Sequence, residues 1–319
     1  MQGKPQRVAR RAVHGVLLLD KPLGLSSNAA LQRVKRLYRA EKAGHTGTLD
    51  PLASGLLPLC FGAATKFSHA SLDADKRYLA QLRLGITTST GDAEGTVLRE
   101  RPVAMTVEQA RAACARFVGE IDQLPPMHSA LKREGRPLYD YARAGIDVER
   151  EPRRVTIHRI DIVECQASTL AIDVVCSKGT YIRTLAEAIG EALGCGAHLA
   201  ALRRTASGPL TIEAAHSLDH LQMVNDSQRD ALLLPADTLL ADWPAIRLSD
   251  EEAGRFLSGM RRRLDDAADA PRVRVYGPQR RAFLGSAHVK GGELISTRLL
   301  SPLEVQGLLD APDTTPART

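Results

Sequence analysis

The chain lacks the cysteine pattern of a stapled or zinc-bound fold. Its five cysteines, at 60, 114, 165, 176 and 195, are odd in number and include no Cys-x-x-Cys. That excludes a disulfide framework and a cysteine zinc site, and the thiols read as free, buried groups in a reducing compartment. Long apolar runs are missing as well. The longest, residues 52–64, is broken by Ser54, Gly55, Pro58 and Gly62, whereas a membrane span needs ~20 largely apolar residues. The N-terminus is basic (Lys4, Arg7, Arg10, Arg11), but the apolar run behind it stops at Asp20, well short of the ~7–15 apolar residues of a signal peptide. We therefore expect a cytoplasmic protein with a short basic arm and no membrane association. Aromatic residues are only 4% of the chain, which argues against a broad platform for stacking single-stranded nucleic acid. There is no His-Glu-x-x-His, Gly-x-Ser-x-Gly, Walker loop or Gly-x-Gly-x-x-Gly, so the common metalloprotease, hydrolase and nucleotide-binding signatures are absent.

What remains is an ordinary globular composition. Hydrophobic residues make up 44% and charged residues 25% of 319 residues, enough for a real core and about two domains. The net charge of +6 permits a polyanionic partner without requiring one. Residues 15–20 read as a buried strand ending at Lys21-Pro22. Ser26-Ser27-Asn28 then caps a helix that carries Leu31, Val34 and Leu37. Tyr78, Ala80, Leu82 and Leu84 alternate with Leu79, Gln81 and Arg83 as a strand, and Thr106 with Gln109 forms a capping box opening a helix to about Phe117. Residues 154–163 and 169–177 read as two strands with a turn between them, Thr180 to Leu193 as a helix closed by Gly194, and 218–243 as containing a Leu-rich helix-like piece and then Trp243-Pro244. Ser249 opens a further short helix, followed by strands over 272–276, 281–289 and 293–300. Without a regular βαβ rhythm the fold class is α+β, with a mixed, mainly antiparallel sheet and a small β-rich C-terminal domain.

Chemistry concentrates in Gly44-His45-Thr46-Gly47-Thr48-Leu49-Asp50-Pro51-Leu52-Ala53-Ser54-Gly55-Leu56-Leu57-Pro58. Pro51 holds Asp50 away from helical dihedrals, and apolar residues flank it on both sides. A bare Asp-Pro is usually turn chemistry, but a turn requires neither the nearby His45 nor so long an apolar flank. Elsewhere, Asp73-Ala74-Asp75 reads as a solvated turn, and His216 and His220, four apart on a possible helix, as surface residues.

This segment resembles the catalytic loop of the pseudouridine synthases, specifically the TruB family, which acts on uridine 55 in the T-loop of tRNA. The likeness extends to Gly15-Val16-Leu17-Leu18-Leu19-Asp20-Lys21-Pro22, to Asp75-Lys76-Arg77-Tyr78, to Pro125-Pro126-Met127 with Ser129-Ala130-Leu131-Lys132, to Cys176-Ser177-Lys178-Gly179-Thr180-Tyr181-Ile182-Arg183 and to Gly194-Cys195-Gly196-Ala197-His198-Leu199 with Leu202-Arg203-Arg204. The resemblance implies a basic arm over 1–14, a catalytic domain over 15–244 with a tRNA-gripping insertion at about 120–152, a PUA-like RNA-binding domain over 245–310 and a tail over 311–319. It implies Asp50 as the catalytic carboxylate, Arg183 as its partner and Tyr78 stacked on the target base with its hydroxyl near C5. Tyr181 and Leu202 would line the pocket, and Lys21, counted with the substrate-binding residues, would sit at its edge and support the catalytic loop. His45 would fill the space left by the flipped nucleotide, and Lys132 and His128 would contact the RNA; at His128 the family often has Tyr. A carboxylate in such a pocket would be desolvated. The reaction transfers no electrons or phosphate, so no cofactor or metal is implied, and no protein partner. Attack on the nucleotide and abstraction of the 2′ proton both remain open. Two other readings compete: a non-catalytic tRNA-binding or tRNA-folding protein of the same fold, and a synthase guided by a separate RNA.

Overall fold

The computed structural model describes residues 9–129, 131–264, 267–279 and 282–310. The start of the expected basic arm, residues 1–8, and the expected tail, 311–319, lie outside the described residues.

The fold is organised around a ten-stranded mixed sheet. Its principal strands are β1 (Gly15–Lys21), β2 (Ala43–His45), β3 (Ala53–Phe61), β4 (Lys76–Leu84), β5 (Gly119–Gln123), β6 (Arg153–Cys165), β7 (Thr169–Cys176), β8 (Ala197–Ser207) and β9 (His216–Ser217). Across the sheet they run β9, β1, β3, β8, β4, β7, β6, β5, with β2 paired to β3. Only β1–β9 and β3–β8 are parallel pairs, so the sheet is mainly antiparallel, as expected.

Burial explains why β1 and β3 are apolar at nearly every position. Leu17, Leu19, Leu57, Leu59 and Phe61 pack into one core together with Leu31 and Val34 of α1 (Ser27–Leu37). Val16, Leu18, Leu56 and Cys60, on the opposite face, pack into a second core with Phe256, Val273 and Phe283 of the C-terminal region. A strand covered on both faces has no polar side to show. β4 has a free face and so alternates strictly between buried and exposed.

The C-terminal sheet has five strands in the order 245–247, 270–276, 283–290, 293–299, 262–263. Its core is continuous with the main sheet across the Trp243-Pro244 break: the Phe67 and Phe283 rings lie 5.1 Å apart.

The Leu-rich stretch 218–243 holds several short helical pieces. Val224 is extended, Asn225 starts a new helix with its own capping box, and Pro235 precedes a separate 3-10 turn. His216 and His220 therefore do not share a helix; His216 lies in β9, and the two rings stack at 5.5 Å. The Gly/Pro-rich segment 43–58 is strand at both ends, β2 over 43–45 and β3 from Ala53 onward, with the Asp50 loop between. Pro58 is tolerated there because it falls between the stretch of β3 paired with β8 (residues 53–55) and the stretch paired with β2 (residues 59–61). No helix among the described residues is long and apolar enough to cross a membrane.

Candidate active site

The loop between β2 and β3 carries Asp50 and is tied down at both ends. Ser27, in the first turn of α1, donates to the Leu49 carbonyl (3.0 Å) and accepts from the Leu49 N–H (2.7 Å). Thr46 N–H donates to the Pro58 carbonyl, Gly24 N–H to the Pro51 carbonyl, and Ala53 N–H to the Asp50 carbonyl, at 3.0, 2.9 and 3.0 Å. The backbone of the loop is thus fixed without the Asp50 carboxylate taking part.

That carboxylate is not enclosed as expected. Its side chain is 49% exposed, and its partner stands behind it: Arg183, 7% exposed, places Nη2 3.0 Å from Asp50 Oδ2. Arg183 lies in the first turn of a helix, Ile182–Ala192, which ends near Gly194 in the left-handed region (φ +80°). The guanidinium is itself braced. Nη2 donates to the His128 carbonyl (2.6 Å), and Nη1 faces the Thr90 carbonyl and the buried Asp92 carboxylate, both at 3.4 Å. A planar five-donor fork suits this task, since one cation spans two carboxylates and two carbonyls. His128, the departure from the family pattern, meets Arg183 through its backbone, so this contact does not depend on which side chain it carries.

Tyr78, on β4, is 9% exposed and pairs in register with Val174 of β7 and Arg204 of β8. Burial pushes the pKa of its hydroxyl up; the Arg204 guanidinium acts against that rise, and the Asp50 charge adds to it. Tyr181 caps the Arg183 helix. Its N–H donates to Gln123 Oε1 (3.0 Å), and its carbonyl accepts from Gln123 Nε2 (3.3 Å). Its hydroxyl pKa is likewise raised by burial, and again Asp50 contributes to the rise. Leu202, half-buried, pairs with Ala53 and Ala80 beside Tyr78. His45 ends β2 with a pKa lowered mainly by burial, so its ring is neutral at physiological pH, and its Nδ1 is buried without a hydrogen-bond partner.

Lys21 is where the structure departs from a substrate contact. It is fully buried, and its ammonium donates to the Pro22 and Leu25 carbonyls at 2.9 and 2.6 Å. It holds the turn beside the Asp50 loop rather than facing outward. Burial lowers its pKa to about 8, against the pull of Asp50. Lys132 is exposed on a separate short hairpin with Arg136–Pro137, remote in the chain from the Asp50 loop. Asp73 is exposed and paired with Lys178 at 2.6 Å, and no cluster of three or more metal-ligating side chains exists among the described residues.

Sequence reasoning missed two residues, Asp92 and Arg204. Asp92 sits in Thr90-Gly91-Asp92-Ala93-Glu94-Gly95, which looks like any polar turn, and nothing in that string signals its burial. Arg204 could have been found: once 197–207 is taken as a strand, alternation sends Leu202 and Arg204 to the face of Ala80 and Tyr78.

The chain matches three family models in succession: TruB family pseudouridylate synthase (N terminal domain) over residues 35–182, tRNA pseudouridylate synthase B C-terminal domain over 183–241, and Pseudouridine synthase II TruB, C-terminal, over 244–300. It is 60% identical over 300 residues to the tRNA pseudouridine synthase B of Burkholderia mallei (strain ATCC 23344), covering 92% of this chain and 96% of that one. It is 60% identical over 299 residues to the protein of the same name in Ralstonia nicotianae, covering 91% and 95%. A chain of the crystal structure of a Cbf5-Nop10-Gar1 complex matches with a TM-score of 0.68 at 25% identity, over 91% of this chain and 86% of that one.

Proposed function

The chain belongs to the TruB family of pseudouridine synthases, and from that membership we propose that it converts uridine 55, in the T-loop of tRNA, to pseudouridine, with Asp50 as the catalytic carboxylate. Its activity at the coarser level is tRNA pseudouridylation. The observation that carries the residue assignment is the Asp50–Arg183 pair: a half-exposed carboxylate on a pinned loop, aimed by a buried arginine 3.0 Å away.

The chemistry asks for little else. The N1–C1′ bond breaks, the base turns, and C5 bonds to C1′. Atoms and electrons balance within the substrate, so no redox partner or transferred group is needed. A single ionised carboxylate serves either route, attack on the nucleotide or removal of the 2′ proton. Arg183 orients Asp50 through the contact at 3.0 Å. Tyr78 and Tyr181 offer ring faces beside it, on which an unstacked uracil gains back part of the few kcal/mol its extrusion costs. Neutral His45 can take the vacated place in the RNA stack without carrying charge into it. The hairpin at 132–137, with Lys132, Arg133 and Arg136, and the C-terminal sheet would add phosphate contacts that position the tRNA.

The test is incubation of the protein with an unmodified tRNA transcript, followed by mapping of pseudouridine. Wild type should modify position 55. Asp50→Asn should give no product while binding tRNA normally, since Asn serves turns about as well as Asp. Product at another position would refute the T-loop assignment, and turnover by Asp50→Asn would refute the role of the carboxylate.

A further inference from the structure

The bulkiest fully buried side chain among the described residues is a cation, Arg204, 1% exposed. Its anchor is a backbone group: Nε donates to the Leu56 carbonyl at 2.7 Å, while Nη2 is buried with no hydrogen-bond partner. Leaving a charged donor unsatisfied inside a protein costs free energy that a purely structural arginine would not need to bear.

Its surroundings point to the site. β8 sets Arg204 opposite Tyr78 on one side and opposite Gly55 on the other. At Gly55 (φ +101°) a Cβ would lie 2.3 Å from the Arg204 carbonyl oxygen; at Gly47 (φ +72°) it would lie 3.1 Å from Arg204 Nη1. The two glycines that bracket Asp50 are therefore the places where the chain closes over this one residue. Lys21, His45, Lys76 and Tyr78 all feel its charge, each with its pKa shifted down by it. Burial still holds the Tyr78 hydroxyl above its ordinary pKa, and the cation set opposite it acts against that rise.

We propose that Arg204 is a positioning residue for the reaction, its buried guanidinium, set across the strand pair from Tyr78 and with Nη2 free to bond, steadying the tyrosine oxygen while the C5 proton is removed. The proposal rests on the function proposed above. After C5 has bonded to C1′, C5 still carries its hydrogen and the ring holds an N1=C6 double bond. The Tyr78 phenolate takes that proton, the C5–H electron pair becomes the C5=C6 bond, and N1 takes up a proton from water. Tyr78 later returns its proton to water, so nothing is oxidised or consumed. The groups facing Tyr78 and Arg204 are Lys76 on the same strand, Cys176 of β7, His45 of β2, Lys21 of β1 and Asp50 of the loop. Of these, Asp50 is the one carboxylate, and Arg183 pairs with it at 3.0 Å.

The experiment measures single-turnover conversion of a tRNA transcript against pH, with uridine or 5-deuterouridine, for wild type, Arg204→Gln and Arg204→Lys. Gln keeps a donor for the Leu56 carbonyl but no charge; Lys keeps the charge. Arg204→Gln should shift the rate profile about one to two pH units upward, the shift expected when a neighbouring opposite charge is lost. At pH 7.5 that lowers the rate about 10- to 100-fold and brings out a primary deuterium isotope effect. Arg204→Lys should fall between, and tRNA affinity should be unchanged in both. A Gln variant with the wild-type profile and no isotope effect overturns the proposal. So does a Lys variant as slow as Gln, which would make the role one of shape rather than charge. If wild type forms no pseudouridine in the same assay, it is the proposed function that fails.

Discussion

Replacing Arg183 with Met should do more than stop catalysis; it should loosen the fold, and the structure says how much. Arg183 Nη1 is the cation facing Asp92, whose side chain is 5% exposed, and the arginine is itself 7% exposed. Removing the arginine leaves the buried carboxylate without its cation, with only the Thr90 hydroxyl and the Glu94 N–H donating to Oδ1, at a cost of about 3–5 kcal/mol. For a domain of this size, where 1 kcal/mol corresponds to roughly 2–4 °C, the melting temperature should fall by about 6–20 °C. Half-exposed Asp50 contributes little to that loss, because water takes over its solvation. The origin of the loss can therefore be isolated. Asp92→Asn in the Arg183→Met background removes the stranded charge and should recover about half or more of the stability, while pseudouridine formation stays absent in both proteins. Urea unfolding followed by circular dichroism measures all four members of the cycle. An Arg183→Met protein within ~0.5 kcal/mol of wild type, the scatter of an ordinary surface change, would refute the reasoning, as would a double variant no more stable than the single one.

The remaining predictions concern the ring, the buried lysine and the C-terminal sheet. Tyr78→Phe should bind tRNA normally and turn over slowly, and Tyr78→Leu should be slower still; equal rates for Tyr78→Phe and wild type would remove any chemical role for the hydroxyl. Lys21, held near a pKa of about 8 against 10.4 in the unfolded chain, costs stability below pH 8, where both states are protonated. It regains up to about 3 kcal/mol as pH rises toward 10.4, because only the folded state has shed its proton. The stability difference between wild type and Lys21→Met should thus move in favour of wild type across that window, and parallel urea curves at pH 7.5 and 10.4 would contradict it. Deleting residues from 245 onward should yield an aggregating chain rather than a free catalytic domain, since Val16, Leu18, Leu56 and Cys60 would lose their cover. A monodisperse, cooperatively melting truncation would show that the main sheet stands alone.

How legible the molecule was from its residues follows local physics. Thr106 with Gln109 and Ser249 with Glu252 were readable because a capping box is a contact within four residues, and both form. β4 was readable because one of its faces is wet. β3 and β8 were not. β3 has both faces covered and so shows no alternation, and it carries the glycine and proline that normally mark loops. β8 carries Arg203 and Arg204 side by side, one paired with Asp20 at 2.8 Å and one buried, a distinction fixed only by neighbouring strands. The same limit applies to the site. Asp50 stood out through its unusual flanks, and the family likeness supplied Arg183 and Tyr78. Asp92 came from nowhere in the string, because its meaning lies in a guanidinium 91 positions away.

The pinned loop decides which partner must change shape. Ser27, Gly24 and Pro58 hold the backbone of the segment around Asp50 by hydrogen bonds, so in the proposed function the carboxylate stands on a loop already fixed before RNA arrives. With Asp50 as the proposed catalytic carboxylate, the distortion of the encounter would fall on the RNA. Selectivity among RNAs becomes a question of how readily each yields its nucleotide, and a loop already weakened in its own stacking is a better substrate than a tighter one of identical sequence at the target.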